Sequence, residues 1–458
     1  MTTEPPHQES RPNNNQQIIQ GTAEQLFSNF EVKNTDPDNY KLDIVQNGEQ
    51  IALHPEAPFT EIIKGPLRQL ILQTISDLDF YQPSKIQSQA IPILNDLNDK
   101  KSLIAQAPSG SGKTIAFLTS MLLHVNPEVK APQTLCICNT RELTEQVFDV
   151  FLQMNENTSF KGGFCLKDVE PATNDMQLIF GTTQSFITAI QKNTPPLDVS
   201  HVNFLVIDEA DALFNKKNLP QILRLIKLLP QTVQYGFFSA TFPNGVVNEI
   251  KKLRSDIVQL TIPRAETFVK TVQHWFTKVD NRDQAFQVML TLTQRKGIQT
   301  YIFCRGKSMV DQIAQHLQKN GIQCEAFSSN LDAAARKQKL KEFRESKFLV
   351  IVSTDVLSRG IDVPQTFLVI NYGLPQDYDE QQYRPRGGAQ QRFQQRNRII
   401  YSEDTYYHRA GRAGRFGRSG LCFTILETVP EERELQRLSG KLHFNLHQID
   451  KAQLLPKQ

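Results

Sequence analysis

The sequence predicts an α/β fold of two tandem domains, each a parallel sheet flanked by helices, joined by a short linker. Three observations carry this. From about residue 59 onward, short apolar runs alternate with segments of helical period, the pattern of buried parallel strands and their crossover helices. The rhythm breaks once, across 260–271 with Pro263, and then restarts. At 458 residues the chain is also too long for one ordinary core and long enough for two.

Taken in order, residues 1–25 are rich in Pro, Asn, Gln and Thr and read as a disordered tail, because they offer too little apolar surface to offset ordering. Residues 26–58 read as an N-terminal extension. The first domain, 59–259, has strands at Leu103–Ala105, Leu135–Cys138, Leu178–Phe180, Phe204–Ile207 and Val233–Phe238. After the linker at 260–271, the second domain (272–446) has strands at Tyr301–Cys304, Cys324–Phe327, Phe348–Ser353, Phe367–Tyr372 and Leu421–Leu426. Met309–Gln318 and Ala333–Glu345 are two of its helices. The Arg/Gln-rich stretch 376–404, with Arg384, Arg386, Arg392, Arg396 and Arg398, reads as a flexible surface insertion, and 447–458 as a C-terminal tail.

Composition narrows the function classes. The hydrophobic fraction is 39%, which excludes a wholly disordered, collagen-like or coiled-coil chain. No apolar run approaches the roughly 18 residues of a membrane helix, and Met1–Gln20 lacks a signal-peptide core, so a cytosolic or nuclear protein without membrane insertion is expected. Six cysteines are too few for a disulfide framework, and the Cys136/Cys138 pair reads as strand packing. Lysine plus arginine number 51 against 48 acids, a net charge of +3, so bulk charge does not announce a nucleic-acid partner.

The chemistry is carried by local motifs. Ala107-Pro108-Ser109-Gly110-Ser111-Gly112-Lys113-Thr114 follows a strand and opens a helix, the context a P-loop requires. Small residues let backbone N–H groups wrap phosphates, Lys113 reaches the outer phosphates, and Thr114 would ligate Mg²⁺. ATP and Mg²⁺ are thus the expected ligands. After the apolar strand Phe204–Ile207 comes Asp208-Glu209-Ala210-Asp211, where Asp208 would hold Mg²⁺ and Glu209 would polarise the attacking water. In the second half, His408-Arg409-Ala410-Gly411-Arg412-Ala413-Gly414-Arg415 spaces Arg412 and Arg415 onto one helical face, suited to stabilising charge on a transferring phosphoryl group. Such an arginine is worth roughly 10³ to 10⁵ in rate.

Together these residues resemble the DEAD-box family of RNA-dependent ATPases, in helicase superfamily 2, over about residues 59–446. The resemblance implies two RecA-like domains and an ATP-dependent RNA helicase acting as a monomer on single-stranded RNA without reading sequence. Phe80, Pro83, Ile86 and Gln87 are similar to the adenine-reading motif, and the Gln87 amide can both donate and accept. By carry-over, Gly360 and Asp362 of motif V would contact the nucleotide, Asp362 at its ribose. Ser239, Thr241, Asp211 and His408 would couple the domains, and Arg141, Gly163, Thr182 and Thr354 would hold RNA.

Several positions depart from the family pattern. Thr182-Thr183-Gln184-Ser185 stands where Thr-Pro-Gly-Arg is usual, Asp79 stands where glycine is usual, and Phe59 lies about three residues farther upstream of the adenine motif than the family's aromatic. Glu31-Val32-Lys33, Leu103-Ile104-Ala105-Gln106 and His443-Phe444-Asn445 are similar to the subfamily that exports mRNA at the cytoplasmic face of the nuclear pore. That implies a nucleoporin partner, an inositol-hexakisphosphate-dependent activator, and residence in cytoplasm and nucleus. Alternatives that keep part of this reading are a DEAD-box ATPase of translation initiation or ribosome biogenesis, and an ATP-gated RNA clamp with little turnover.

Overall fold

A computed structural model describes residues 18–28, 41–46, 48–96, 99–108, 110–254, 256–262, 272–295, 297–327, 331, 333–355, 366–377, 400–414 and 419–456. Two sheets organise the chain. The first runs, edge to edge, Glu49–Ile51, Asp43–Gln46, Val258–Thr261, Leu103–Gln106, Gln234–Ser239, Phe204–Asp208, Thr134–Ile137, Leu178–Gly181 and Gly162–Cys165. Its seven strands from Val258–Thr261 onward pair in parallel, and the hairpin 43–51 adds to the edge antiparallel. The second runs Ile19–Gly21, Leu446–Ile449, Val272–Lys278, Gly420–Leu426, Thr366–Tyr372, Gln299–Phe303, Val350–Ser353 and Cys324–Phe327, all parallel.

Central strands such as Leu103–Gln106 and Thr134–Ile137 are buried at every residue, because helices cover both faces of a parallel sheet. Phe117, Phe151 and Phe180 fill one side of the first sheet, and Ile179, Phe186 and Phe237 the other. Cys136 and Cys138 sit in the first of these cores with their sulfurs 3.9 Å apart, and all six cysteines are free and buried. No described helix is long and apolar enough to cross a membrane.

Both ends of the chain differ from the sequence expectation. Within the expected tail 1–25, residues 19–21 form a strand beside Leu446–Ile449, and the helix Ala23–Ser28 buries Leu26 completely in the second core. Three residues of strand offer too little pattern to read, but an open sheet edge supplies backbone partners. The expected C-terminal tail is likewise structured: Leu446–Ile449 pairs with both neighbours, and Leu454 is 1% exposed. The hairpin 43–51 lies in the expected extension yet belongs to the first sheet, and Leu260 and Thr261 of the expected linker are strand residues. The ends of the insertion, Gln376–Asp377 and Ile400–Tyr401, pair antiparallel, while its arginines lie outside the described residues.

Candidate nucleotide site and interdomain junction

The P-loop follows the strand Leu103–Gln106 and ends on the helix Lys113–Leu123. Gly112 takes φ +93°, and a Cβ there would stand 2.4 Å from Gln87 Nε2, so both backbone and packing demand glycine. Ser84 N donates to Gln87 Oε1 (2.9 Å), and Gln87 Nε2 donates to the Gly112 carbonyl (3.2 Å). Gln87 therefore ties the Ser84 end of its helix to the P-loop, and these two bonds use one amide N–H and one carbonyl lone pair. Lys113 Nζ donates to the carbonyls of Ala107 (2.7 Å) and Pro108 (2.8 Å), which holds the ammonium across the loop. Ser109 lies outside the described residues. Phe59 is a core residue at 4% exposure, packed in the first hydrophobic cluster.

Asp208 ends its strand and Glu209 follows in the left-handed region at φ 50°, ψ 48°. Burial, and then the neighbouring Glu209 carboxylate, push the Asp208 carboxyl up to about 7, against the opposing pull of Lys113. Glu209 Oε2 is buried without a hydrogen-bond partner among the described residues. Two adjacent buried carboxylates opposite a lysine favour a cation.

Asp211 is the centre of the domain junction. It accepts from Ser239 Oγ (2.8 Å) and Thr241 Oγ1 (2.7 Å) of the first domain, and its Oδ2 lies 2.9 Å from His408 Nε2 of the second. A carboxylate only accepts, so Nε2 is the protonated nitrogen of His408. His408 Nδ1 stands 4.0 Å from Glu209 Oε2, so the same imidazole lies beside two of the motif's three acids, Glu209 and Asp211. The expected coupling residues are thus one buried network across the two domains. Arg412 is 2% exposed on the same segment, while Arg415, Gly360 and Asp362 lie outside the described residues.

The four expected RNA residues lie at a helix start, in an edge strand and just after two strand ends. Arg141 opens the helix Arg141–Met154, bonded to Glu145 (2.9 Å) and to the Lys167 carbonyl (2.8 Å). Gly163 lies in the edge strand, where a Cβ would meet Met176 Sδ at 2.3 Å. Thr182 precedes the helix Thr183–Gln191, its hydroxyl 2.9 Å from Ser185 Oγ, and Thr354 follows Val350–Ser353.

Two interactions escaped sequence reasoning. Arg409 is fully buried and grips Asp355 through Nε (2.5 Å) and Nη2 (2.9 Å), fastening the helix Glu403–Ala410 to the residue after Thr354. Its position beside His408 was the available signal. Arg336 pairs with Glu142 across the domains.

Comparison with known proteins supplies the family. The DEAD/DEAH box helicase pattern matches residues 84–250 and the helicase conserved C-terminal domain matches 282–417. The Schizosaccharomyces pombe ATP-dependent RNA helicase dbp5 is 31% identical over 404 residues, covering 87% of this chain and 73% of that protein. The chain belongs to the DEAD-box ATP-dependent RNA helicases. As a DEAD-box helicase it also superposes on Saccharomyces cerevisiae Dbp5 bound to RNA and ADP BeF3, with TM-score 0.76, 28% identity and coverage of 86% of this chain and 95% of that one. A Dbp5 variant from the same yeast bound to Nup159, Gle1, IP6 and ADP gives TM-score 0.56 at 26% identity, with 87% and 96% covered. Of these two structures, the first superposes on this chain more closely. The two sheets of this chain are the RecA-like pair of that family.

Proposed function

We propose that this DEAD-box helicase is an RNA-stimulated ATPase that clamps single-stranded RNA and remodels ribonucleoprotein during mRNA export at the cytoplasmic face of the nuclear pore. The single observation that carries the catalytic part is the Asp211 network, which makes assembly of the hydrolytic acid depend on the second domain. ATP lies on the P-loop, with Lys113 drawn from its carbonyl partners to the outer phosphates. Thr114 and Asp208 would hold Mg²⁺, which would neutralise phosphate charge; the buried Asp208 carboxyl, raised beside Glu209, fits a cation there.

Glu209 accepts a proton from the attacking water, and Arg412 and Arg415 stabilise charge on the phosphoryl group. RNA is held through its backbone by Arg141, Gly163, Thr182 and Thr354, so binding is insensitive to sequence, and the 2′-hydroxyl distinguishes RNA from DNA. The RNA, Nup159, Gle1 and IP6 named for the Dbp5 structures support RNA, a nucleoporin and an inositol-hexakisphosphate-dependent activator as partners here, and location in cytoplasm and nucleus around the pore.

The test is RNA-stimulated phosphate release by wild type and Glu209→Gln. The substitution should lower the rate by about a hundredfold or more while leaving ATP binding in place. Wild-type protein without RNA-stimulated release would be a clamp lacking turnover, and an unchanged rate in the variant would remove Glu209 from the chemistry.

A further inference from the structure

Three strands of the first sheet end side by side. Thr134–Ile137, Leu178–Gly181 and Gly162–Cys165 are parallel neighbours at one edge, with Ile137 and Cys165 both paired to Gly181. Ligands of open parallel sheets meet the carboxyl ends of the strands, and two of the expected RNA residues stand there. Arg141 opens the helix that follows Ile137, and Thr182 comes directly after Gly181. Lys167, in the loop just beyond Cys165, extends this row to the outermost strand.

The backbone at Lys167 is held in place. Arg141 Nη1 donates to the Lys167 carbonyl (2.8 Å), Asp168 turns the chain at φ +59°, and Ala172 N donates back to the Phe164 carbonyl (2.9 Å). A residue other than glycine persists in the left-handed region where its surroundings impose the turn. The Lys167 side chain is exposed, and its ammonium has no hydrogen-bond or ion-pair partner among the described residues. Lys161, just ahead of the same strand, is by contrast paired with Asp175 at 2.5 Å.

The neighbouring helix lacks positive charge. Ser185 stands where the family pattern has arginine, its hydroxyl lies 2.9 Å from Thr182 Oγ1, and the whole helix Thr183–Gln191 contains no lysine or arginine. Lys167 lines the same cavity as Gln184 and Ser185, so it stands on the face from which that arginine is missing. The acids of its own loop, Asp168 and Glu170, do not line this cavity.

The geometry points to Lys167 as a further RNA-binding residue: its ammonium takes one backbone phosphate beyond the end of the strand Gly162–Cys165, in place of the arginine absent at position 185. Arg141 then has a second task, since its bond to the Lys167 carbonyl positions the lysine. An ammonium meets phosphate as a point charge, so this contact adds affinity without reading bases. The inference rests on the RNA-clamp reading and deepens it.

The test uses full-length protein, a non-hydrolysable ATP analogue and an oligouridylate, with affinity measured as a function of salt. Lys167→Ala should weaken binding about fivefold at 0.1 M salt and reduce the log–log slope by about 0.7, the counterion release of one phosphate on a single strand. Ser185→Arg added to the Lys167→Ala chain should recover the slope. Lys192→Ala removes the same charge at the far end of the helix Thr183–Gln191 and should leave the slope unchanged. Because the readout is a slope, a general loss of stability does not mimic the result. An unchanged slope in Lys167→Ala, an equal fall in Lys192→Ala, or no recovery by Ser185→Arg would overturn the inference while leaving the clamp intact. Failure of the wild-type protein to bind the oligouridylate would instead overturn the clamp itself.

Discussion

Asp79 holds φ +60°, a conformation that costs most L-residues roughly 1–2 kcal/mol and that the family's usual glycine adopts freely. Aspartate tolerates it better than most, and here its Oδ1 also accepts from the Tyr81 hydroxyl at 2.8 Å. Asp79→Gly should therefore change stability by under about 1 kcal/mol, whereas Asp79→Val should cost about 1–2 kcal/mol, both read by urea denaturation. Equal effects of the two would mean the backbone there is not what selects the residue. The P-loop turn and the junction of the strand Phe204–Asp208 with Glu209 were legible because each is set by neighbours in sequence. The grip of Arg409 on Asp355 spans 54 positions, and nothing local in either residue announces the other.

Elements divide the same way. Strands buried on both faces, such as Phe204–Asp208, write themselves as continuous apolar runs, but edge strands do not. Gly162–Cys165 carries two glycines because Phe151 and Met176 leave no room for Cβ atoms, and Ile19–Gly21 is short with mixed polarity. Gly21 packs so closely on Trp275 that a Cβ would fall 2.2 Å from its ring. Removing residues 1–28 should lower the unfolding midpoint of the second domain, and Leu26→Ala alone should cost about 2–5 kcal/mol. A midpoint unmoved by the truncation would restore the tail reading. The insertion stands on a definite base: Arg305 donates to the Leu374 carbonyl at 3.0 Å and pairs with Glu431, beside the ladder 376–377/400–401. Deleting Arg384–Arg398 should weaken RNA binding and reduce the log–log salt slope by about 0.7 for each RNA phosphate that these arginines neutralise. An unchanged slope would make that segment inert toward RNA.

At the scale of the whole molecule, the net charge of +3 says little, because the groups that join the two domains are few and opposite in sign. Arg336 and Glu142 meet across the cleft at 15% and 16% side-chain exposure, and Glu142 lies in the first turn of its helix, where the positive end of the helix dipole favours a carboxylate. Partial burial strengthens such a pair beyond a surface contact, and it forms only when the domains approach. Arg336→Glu should then disfavour the closed arrangement and raise the RNA concentration needed for half-maximal ATPase stimulation. Glu142→Arg in the same chain should recover part of the loss, with a coupling of about 0.5–3 kcal/mol between the sites. Interdomain distance by single-molecule fluorescence, measured with RNA and an ATP analogue, should follow the same order: closed in wild type, open in the single variant, closed again in the double. If the two substitutions instead add independently, closure is set by the Asp211–His408 network alone, and the outer pair only accompanies it.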